Sequence, residues 1–398
     1  MAHFSESDPI VILSYARTPM GGMMGALADA SATDLGATAV KAAVERSGIA
    51  AGDVERVYMG CVLPAGLGQA PARQAALKAG LPKSAQATTV NKVCGSGMQT
   101  VIMGSEALAA GGADVVVAGG MESMTNAPYL LKKHRAGARL GHDTAYDHMF
   151  LDGLEDAYVA GTSMGAYAQE MADQYQLTRE DMDAYSIESL RRAVEAIDSG
   201  AFDDEVVAVT ISSRKGDVVV DKDEQPHKGR PEKIPELRPA FSKDGTITAA
   251  TSSSISDGAA AVVLARQSTA SAKGLTPIAK IVGMTAHAQE PKAFTTAPVG
   301  AIEKLLDQTG WSVDDVDLFE INEAFACVTM FAMRDIGIPH EKVNVNGGGT
   351  ALGHPIGASG TRIIVTLLNA LKRRGGTRGI ASLCIGGGEA TAVAVELV

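Results

Sequence analysis

Two cysteines stand where apolar segments give way to glycines. Cys94 lies in Asn91-Lys92-Val93-Cys94-Gly95-Ser96-Gly97, at the start of an apolar helix, and Cys384 lies in Leu383-Cys384-Ile385-Gly386-Gly387-Gly388, at the end of a buried-looking strand. A thiolate is a strong nucleophile, and the unpaired amides and dipole of a helix N-terminus favour the anion. The Cys94 thiol is therefore expected to ionise below its ordinary range, with Gly95 and Gly97 leaving room for a substrate at the sulfur. The glycines after Cys384 are expected to aim amides at an oxyanion. A cysteine by itself is more often a small buried apolar side chain, so the chemical reading needs a partner base.

His354 is the candidate base, in the glycine-rich loop Gly347-Gly348-Gly349-Thr350-Ala351-Leu352-Gly353-His354-Pro355. The case for it rests on an internal repeat. A helix from about Leu35 to Arg46, then Gly48, then a strand Arg56-Val57-Tyr58-Met59 reappears as a helix from about Val299 to Gln308, then Gly310, then Leu318-Phe319-Glu320-Ile321, at an offset of 262 residues. The Ser96-Gly97 helix and the strand from Asp114 to Gly119 reappear after Ser359-Gly360 and from Gly379 to Leu383, at an offset near 263. By that offset His354 takes the place of Lys92, two residues from Cys94, so the two loops are expected to meet across a pseudo-twofold axis. Asn322, at the C-terminal end of its strand, is placed for function or, equally, as a helix N-cap.

Buried strands between amphipathic helices predict an α/β layered architecture. The first half spans residues 1–123 and is completed by about 250–275, and the second spans 276–398. Residues 124–249, richer in charge and proline, read as an inserted loop domain with a helix around Arg179 to Ile197.

Together, Asn91 to Gly97, Asn322 to Ala326, Gly353 to Ser359 and Cys384 to Gly388 resemble the signatures of the thiolase family, most closely the short-chain acetyl-CoA acetyltransferases, and the resemblance runs over essentially the whole chain. It implies a five-layered αβαβα fold of two pseudo-twofold-related halves with an inserted loop domain. It also implies that Cys94 carries an acyl group as a thioester and that His354 activates Cys94. Further, Asn322 holds a water for one oxyanion hole, the amides of Cys94 and Gly386 form the second, and Cys384 moves the proton at the α-carbon of a second acyl-CoA. Coenzyme A is implied as substrate and product, with no prosthetic group and no metal. The expected reaction is condensation of two acetyl-CoA to acetoacetyl-CoA, or its reverse. A degradative thiolase of broader chain length is the near alternative, and a non-catalytic CoA- or lipid-binding scaffold is the alternative of another class.

The resemblance nominates Ser253, Met164, Phe325, His227 and Lys228 for the acyl-CoA, the last two within a basic cluster of Arg214, Lys215, His227, Lys228, Arg230, Lys233 and Arg238. Ser163 stands where many short-chain relatives carry a histidine, and Glu389 where a methionine is frequent. The loop from Asn126 to Met149 resembles one through which such enzymes assemble, which implies a homotetramer. Its histidines, His134, His142 and His148, match no metal spacing and are expected to be solvated.

With 398 residues and 46% hydrophobic content, the chain can build more than one core, and its net charge of −11 gives no general affinity for nucleic acid or an anionic membrane. Four separated cysteines, without a CxxC pair, are expected to be free thiols. The polar, acidic start, Met1-Ala2-His3-Phe4-Ser5-Glu6-Ser7-Asp8, lacks the pattern of a signal or transit peptide, and the expected location is cytoplasmic.

Overall fold

The computed structural model describes residues 7–212 and 216–398. Its main sheet contains nine strands of four residues or more: β1 (Ile10–Arg17), β2 (Arg56–Gly60), β3 (Gln86–Val90), β4 (Val115–Ser123), β5 (Ser256–Arg266), β6 (Ala279–Ala288), β7 (Leu318–Ile321), β8 (Arg378–Ile385) and β9 (Glu389–Leu397). They run in the order β7-β8-β9-β6-β1-β5-β4-β2-β3, with the short strand Gly21–Gly22 on β5. Seven helices matter here: α1 (Ala32–Ser47), α2 (Ser96–Ala109), α3 (Met164–Gln174), α4 (Arg179–Asp198), α5 (Ala297–Thr309), α6 (Ala326–Ile336) and α7 (Ser359–Arg374).

The repeat is visible in the pairing. β4 lies antiparallel to β5 and parallel to β2, and β8 lies antiparallel to β9 and parallel to β7. Even the irregularities recur: the β1–β5 register shifts between Ile12 and Ser14, and the β6–β9 register between Ile281 and Gly283. The two half-sheets join only through β1 and β6, at Val11 opposite Lys280 and Ile12 opposite Ala279. A full counterpart of β3 is missing from the second half, where a single bridge from Phe319 to Val343 stands in its place.

Local sequence explains where the helices begin and end. Ser31 caps α1 by accepting from Asp34 while the Asp34 carboxylate accepts in return. Gly48 and Gly310 stop α1 and α5 in the left-handed conformation, at φ 74° and 68°, which costs glycine little. The apolar face of α1, with Leu35, Ala39, Val40 and Ala43, covers the outside of the first half-sheet, and Ala301, Ile302 and Leu305 of α5 cover the second. Between the half-sheets lie α2 and α7, whose apolar side chains share one core with β4, β5, β8 and β9. The result is five layers, helix–sheet–helix–sheet–helix.

At the centre α2 and α7 cross through symmetry-related glycines. A Cβ on Gly97 would sit 2.9 Å from the Thr361 nitrogen, and one on Gly360 would sit 2.3 Å from the Met98 nitrogen. The Thr361 hydroxyl donates to the Gly97 carbonyl at 2.7 Å. The inserted segment contains α4, where a helix is expected, and also α3, which the sequence pattern does not announce. Buried polar groups tie it to both halves. Arg17 donates to Glu205 at 2.6 Å and Asp223 at 2.7 Å, and the Tyr185 and Ser189 hydroxyls donate to Glu323, each at 2.8 Å. Removing one member of such a buried ion pair typically costs about 3–5 kcal/mol.

Candidate active site

Cys94 sits on a tight elbow between β3 and α2. Val93, just before it, is held at φ 47°, an unusual conformation for a β-branched residue. The turn is closed by its own polar groups: Asn91 accepts from the Val93 amide at 3.0 Å, and the Ser96 hydroxyl accepts from Lys92 at 2.8 Å while donating to the Val93 carbonyl at 2.6 Å. Strain of this kind costs of order 1–3 kcal/mol and persists only where surrounding bonds fix it. Gly95 and Gly97 serve packing here rather than substrate approach, since a Cβ on Gly95 would come 2.3 Å from Ile385 Cδ1.

The elbow opens on a cavity of about 240 Å³ lined by Cys94, Met164, Ser253, Phe325, His354 and Gly386, among others. Six of the ten residues nominated from sequence are thus brought to one space. Asn322 joins them through His354, its Nδ2 lying 3.4 Å from Nε2 and 3.5 Å from Nδ1. It is not an N-cap, for Phe325 holds that position on α6. Cys384 is buried just behind the wall, packed in one cluster with Met164, Phe294 and Phe325. The two basic nominees lie elsewhere. His227 pairs with Asp198 at 3.3 Å on the surface, whereas Lys228 pairs with Glu224 and lines a second, groove-like cavity of about 380 Å³.

Arg230 and Lys233 line that same groove and have no carboxylate partner among the described residues; Arg214 and Lys215 lie outside those residues. Ser252 lines both the groove and the Cys94 cavity, so the two spaces are adjacent. The serine-rich turn is fixed between the halves: the Ser253 amide donates to Ala324 at 3.0 Å, and Ser254 accepts from the His354 amide at 3.2 Å. Ser163, the departure from the short-chain pattern, caps α3 by accepting from Ala166 and lines the Cys94 cavity. Glu389, the other departure, pairs with Lys92 across the two halves.

The protonation states differ from the sequence expectation at Cys94. Burial pushes its thiol up to about 11, and the negative charge of Glu122 adds to the rise, while amide hydrogen bonds from Gly386 and from Cys94 itself pull the other way. Desolvation beside the apolar cavity is the largest of these effects. Burial drives His354 down to about 3, assisted by the Arg362 charge. Cysteine and histidine are therefore both uncharged at neutral pH, and a proton must leave Cys94 before its sulfur can attack. Cys384 is raised well above its ordinary range by burial and by the neighbouring Cys94 and Cys327 thiols.

Two supporting residues escaped the sequence reading. Ser359 bonds His354 Nδ1 at 2.5 Å and donates its own proton to the Pro355 carbonyl at 3.0 Å. That assigns the proton of the imidazole to Nδ1 and leaves Nε2 free to act as base. Its signal was the five-residue spacing from His354 onto the first turn of α7. Glu122, buried at the end of β4, is the other. His148, expected in solvent, is buried and pairs with Asp152 at 2.6 Å. Among the described residues no histidine, cysteine or carboxylate cluster could hold a metal, the four cysteines are free thiols, and no helix is long and apolar enough to cross a membrane.

Residues 10–268 match the family model for the N-terminal domain of thiolase, and residues 275–397 match that for the C-terminal domain. Acetyl-CoA acetyltransferase 2 of Arabidopsis thaliana is 49% identical over 404 residues, covering 100% of both chains. The Acat5 thiolase of Ascaris suum, solved in complex with coenzyme A, superimposes with a TM-score of 0.93 at 43% identity over 98% of this chain and 100% of its own. The acetyl-CoA acetyltransferase of Bacillus anthracis gives 0.95 at 41% identity over 98% and 99%. With family models matching both halves and relatives at this identity over the full length, the chain belongs to the thiolase family.

Proposed function

We propose that the protein is an acetyl-CoA C-acetyltransferase working by a ping-pong Claisen condensation through acetyl-Cys94. The observation that carries this reading is the convergence of Cys94, His354 and Gly386 on one cavity, next to a groove where Arg230 and Lys233 have no carboxylate partner among the described residues. His354 Nε2 takes the Cys94 proton as the sulfur attacks the thioester carbonyl. The coenzyme A sulfur leaves with the Cys384 proton, which makes Cys384 the thiolate that then removes an α-proton from the second acetyl-CoA. The resulting carbanion attacks acetyl-Cys94, and His354 returns its proton to the departing Cys94 sulfur. Two thiols are needed because one carries the acyl group while the other handles a carbon acid.

The Gly386 and Cys94 amides, which already reach the Cys94 sulfur, are placed for the tetrahedral oxyanion at that centre. Asn322, beside His354, serves the other carbonyl through a water. Phosphate recognition by Arg230 and Lys233 replaces the contact expected of His227, and Ser252 and Ser253 border the pantetheine path. Ring contacts of Phe325 with Phe241 at 5.9 Å and Phe294 at 6.4 Å close the acyl end, which favours a short chain over the broader degradative substrate range. We also assign a homotetramer, supported by the exposed Tyr129, Leu131 and Leu140 in the loop expected to assemble it; light scattering in solution tests the mass. Thiolysis and condensation measured side by side on acetoacetyl-CoA and 3-oxohexanoyl-CoA test the function. A preference for the longer substrate refutes the short-chain assignment, and no turnover of either refutes the enzyme.

A further inference from the structure

Glu122 is a carboxylate buried without an ion-pair partner among the described residues. It is fully inaccessible, and its oxygens accept from the amides of Val62 at 2.9 Å, Leu63 at 3.1 Å and Gly357 at 2.9 Å, with the Cys61 thiol at 3.6 Å. Val62 and Leu63 follow β2 in the first half, whereas Gly357 belongs to the His354 loop of the second. That loop lies directly on the strands beneath it: a Cβ on Gly60 would come 2.6 Å from the Gly357 oxygen, and one on Gly120 would come 2.1 Å from it. No side chain fits between, so the loop is seated on bare backbone, with the Glu122 carboxylate holding its amide.

We propose that Glu122 is a positioning residue for the reaction, seating the His354 loop of one half on the strands of the other and so fixing the base against the Cys94 nucleophile. Charge-assisted bonds from backbone amides are the stronger and shorter class, and three converging on one carboxylate leave the loop little freedom. Misplacing a reacting group by about 1 Å can cost about 100-fold in rate. Burial pushes the Glu122 carboxyl up to about 7 against the pull of its amides, so the anion that holds the loop prevails above neutrality. The ionisable groups facing it are the Cys61 thiol, after β2, and the Cys94 thiol, at the start of α2; the His354 loop meets it through backbone.

The proposal rests on Cys94 as the acylated nucleophile and His354 as its base. Two full-length variants test it: Glu122→Asp keeps the charge but withdraws the carboxylate by one methylene, and Glu122→Gln keeps the shape without the charge. The measurements are kcat and KM for acetoacetyl-CoA thiolysis, and the pH dependence of Cys94 alkylation by iodoacetamide. Glu122→Asp is expected to lower kcat at least ~10-fold with KM changed less than ~3-fold and the alkylation midpoint unmoved. Glu122→Gln is expected to lower kcat as well and to move that midpoint to lower pH, because a negative charge near the thiol is gone. A Glu122→Asp enzyme within ~2-fold of the wild-type kcat overturns the proposal, as does a Glu122→Gln enzyme with an unmoved midpoint, whatever either does to thermal stability. Should Glu122→Gln not fold, the kcat of Glu122→Asp decides alone. A wild-type enzyme that forms no acetyl-Cys94 from acetyl-CoA refutes the underlying reading, whereas normal acetylation with normal variants refutes only the role of Glu122.

Discussion

Replacing His354 with asparagine isolates what the base contributes. In the structure the Cys94 thiol is held at about 11 and the imidazole at about 3. Without a base, acetylation depends on the spontaneously ionised fraction of Cys94, which at about pH 8 is ~1 in 1,000 by the three-unit gap. His354→Asn is expected to slow acetyl-enzyme formation about 1,000-fold, the middle of the range a positioned general base contributes in the transition state, equivalent to ~4 kcal/mol of barrier. The pH dependence gives the sharper signature. Between about pH 7 and 9 the wild-type imidazole is already unprotonated, so its acetylation rate is flat, whereas the variant's residual rate climbs ~10-fold per unit as hydroxide takes over. Rapid quenching after mixing with acetyl-CoA, followed by mass spectrometry of the protein, measures both. A loss smaller than ~10-fold, or a residual rate indifferent to pH, refutes the assignment of His354 as the base that deprotonates Cys94.

Cys384→Ala is expected to form acetyl-Cys94 from acetyl-CoA, detectable by mass, while condensation to acetoacetyl-CoA falls by at least ~100-fold; normal condensation would remove Cys384 from the mechanism. Phe325→Ala opens the aromatic end of the cavity, so kcat/KM for 3-oxohexanoyl-CoA relative to acetoacetyl-CoA is expected to rise ~10-fold, within the ~1–3 kcal/mol that accommodating each of its two extra methylenes provides. Steady-state comparison of the two substrates checks it, and an unchanged ratio moves the chain-length limit elsewhere. The Arg230→Ala, Lys233→Ala double variant is expected to raise KM for coenzyme A ~10-fold with kcat unchanged, an effect that shrinks as salt is added. An equal loss in kcat would place these side chains in the chemistry rather than in recognition.

Much of this was legible from the sequence because a repeat carries geometry that single motifs do not. The 262-residue offset placed His354 opposite Lys92, and the structure puts His354 and Cys94 on one cavity and joins Lys92 to Glu389 of the other half. The helices α1, α2, α4, α5 and α7 fall where the sequence pattern predicts helices; α1, α2, α5 and α7 bury a face against a sheet, and α4 packs its own against Phe202, Ala351 and Leu352. The short helix α3 gave no such signal: its buried residues pack against α6 and Phe294, contacts distant in sequence. The missing counterpart of β3 was equally invisible, since one bridge at Val343 leaves no strand-length pattern.

At the site, residue types were readable but energies were not. A helix-start cysteine suggests an acidic thiol when only the helix is considered, yet the pKa follows from the whole enclosure, and here desolvation exceeds what two amides return. Glycines beside a nucleophile likewise suggest access, yet Gly95 and Gly97 are fixed by Ile385 and Thr361 from the opposite half. Glu122 acts on the Gly357 amide, 235 residues away, which sequence cannot bring near it, whereas Ser359 reaches His354 across five residues. The same pseudo-twofold packing that forces glycine at the crossing of α2 and α7 therefore brings Cys94 from one half and His354 from the other to one cavity. Neither half can form this site by itself, so a substitution that loosens the crossing should uncouple thiol from imidazole before it unfolds either half.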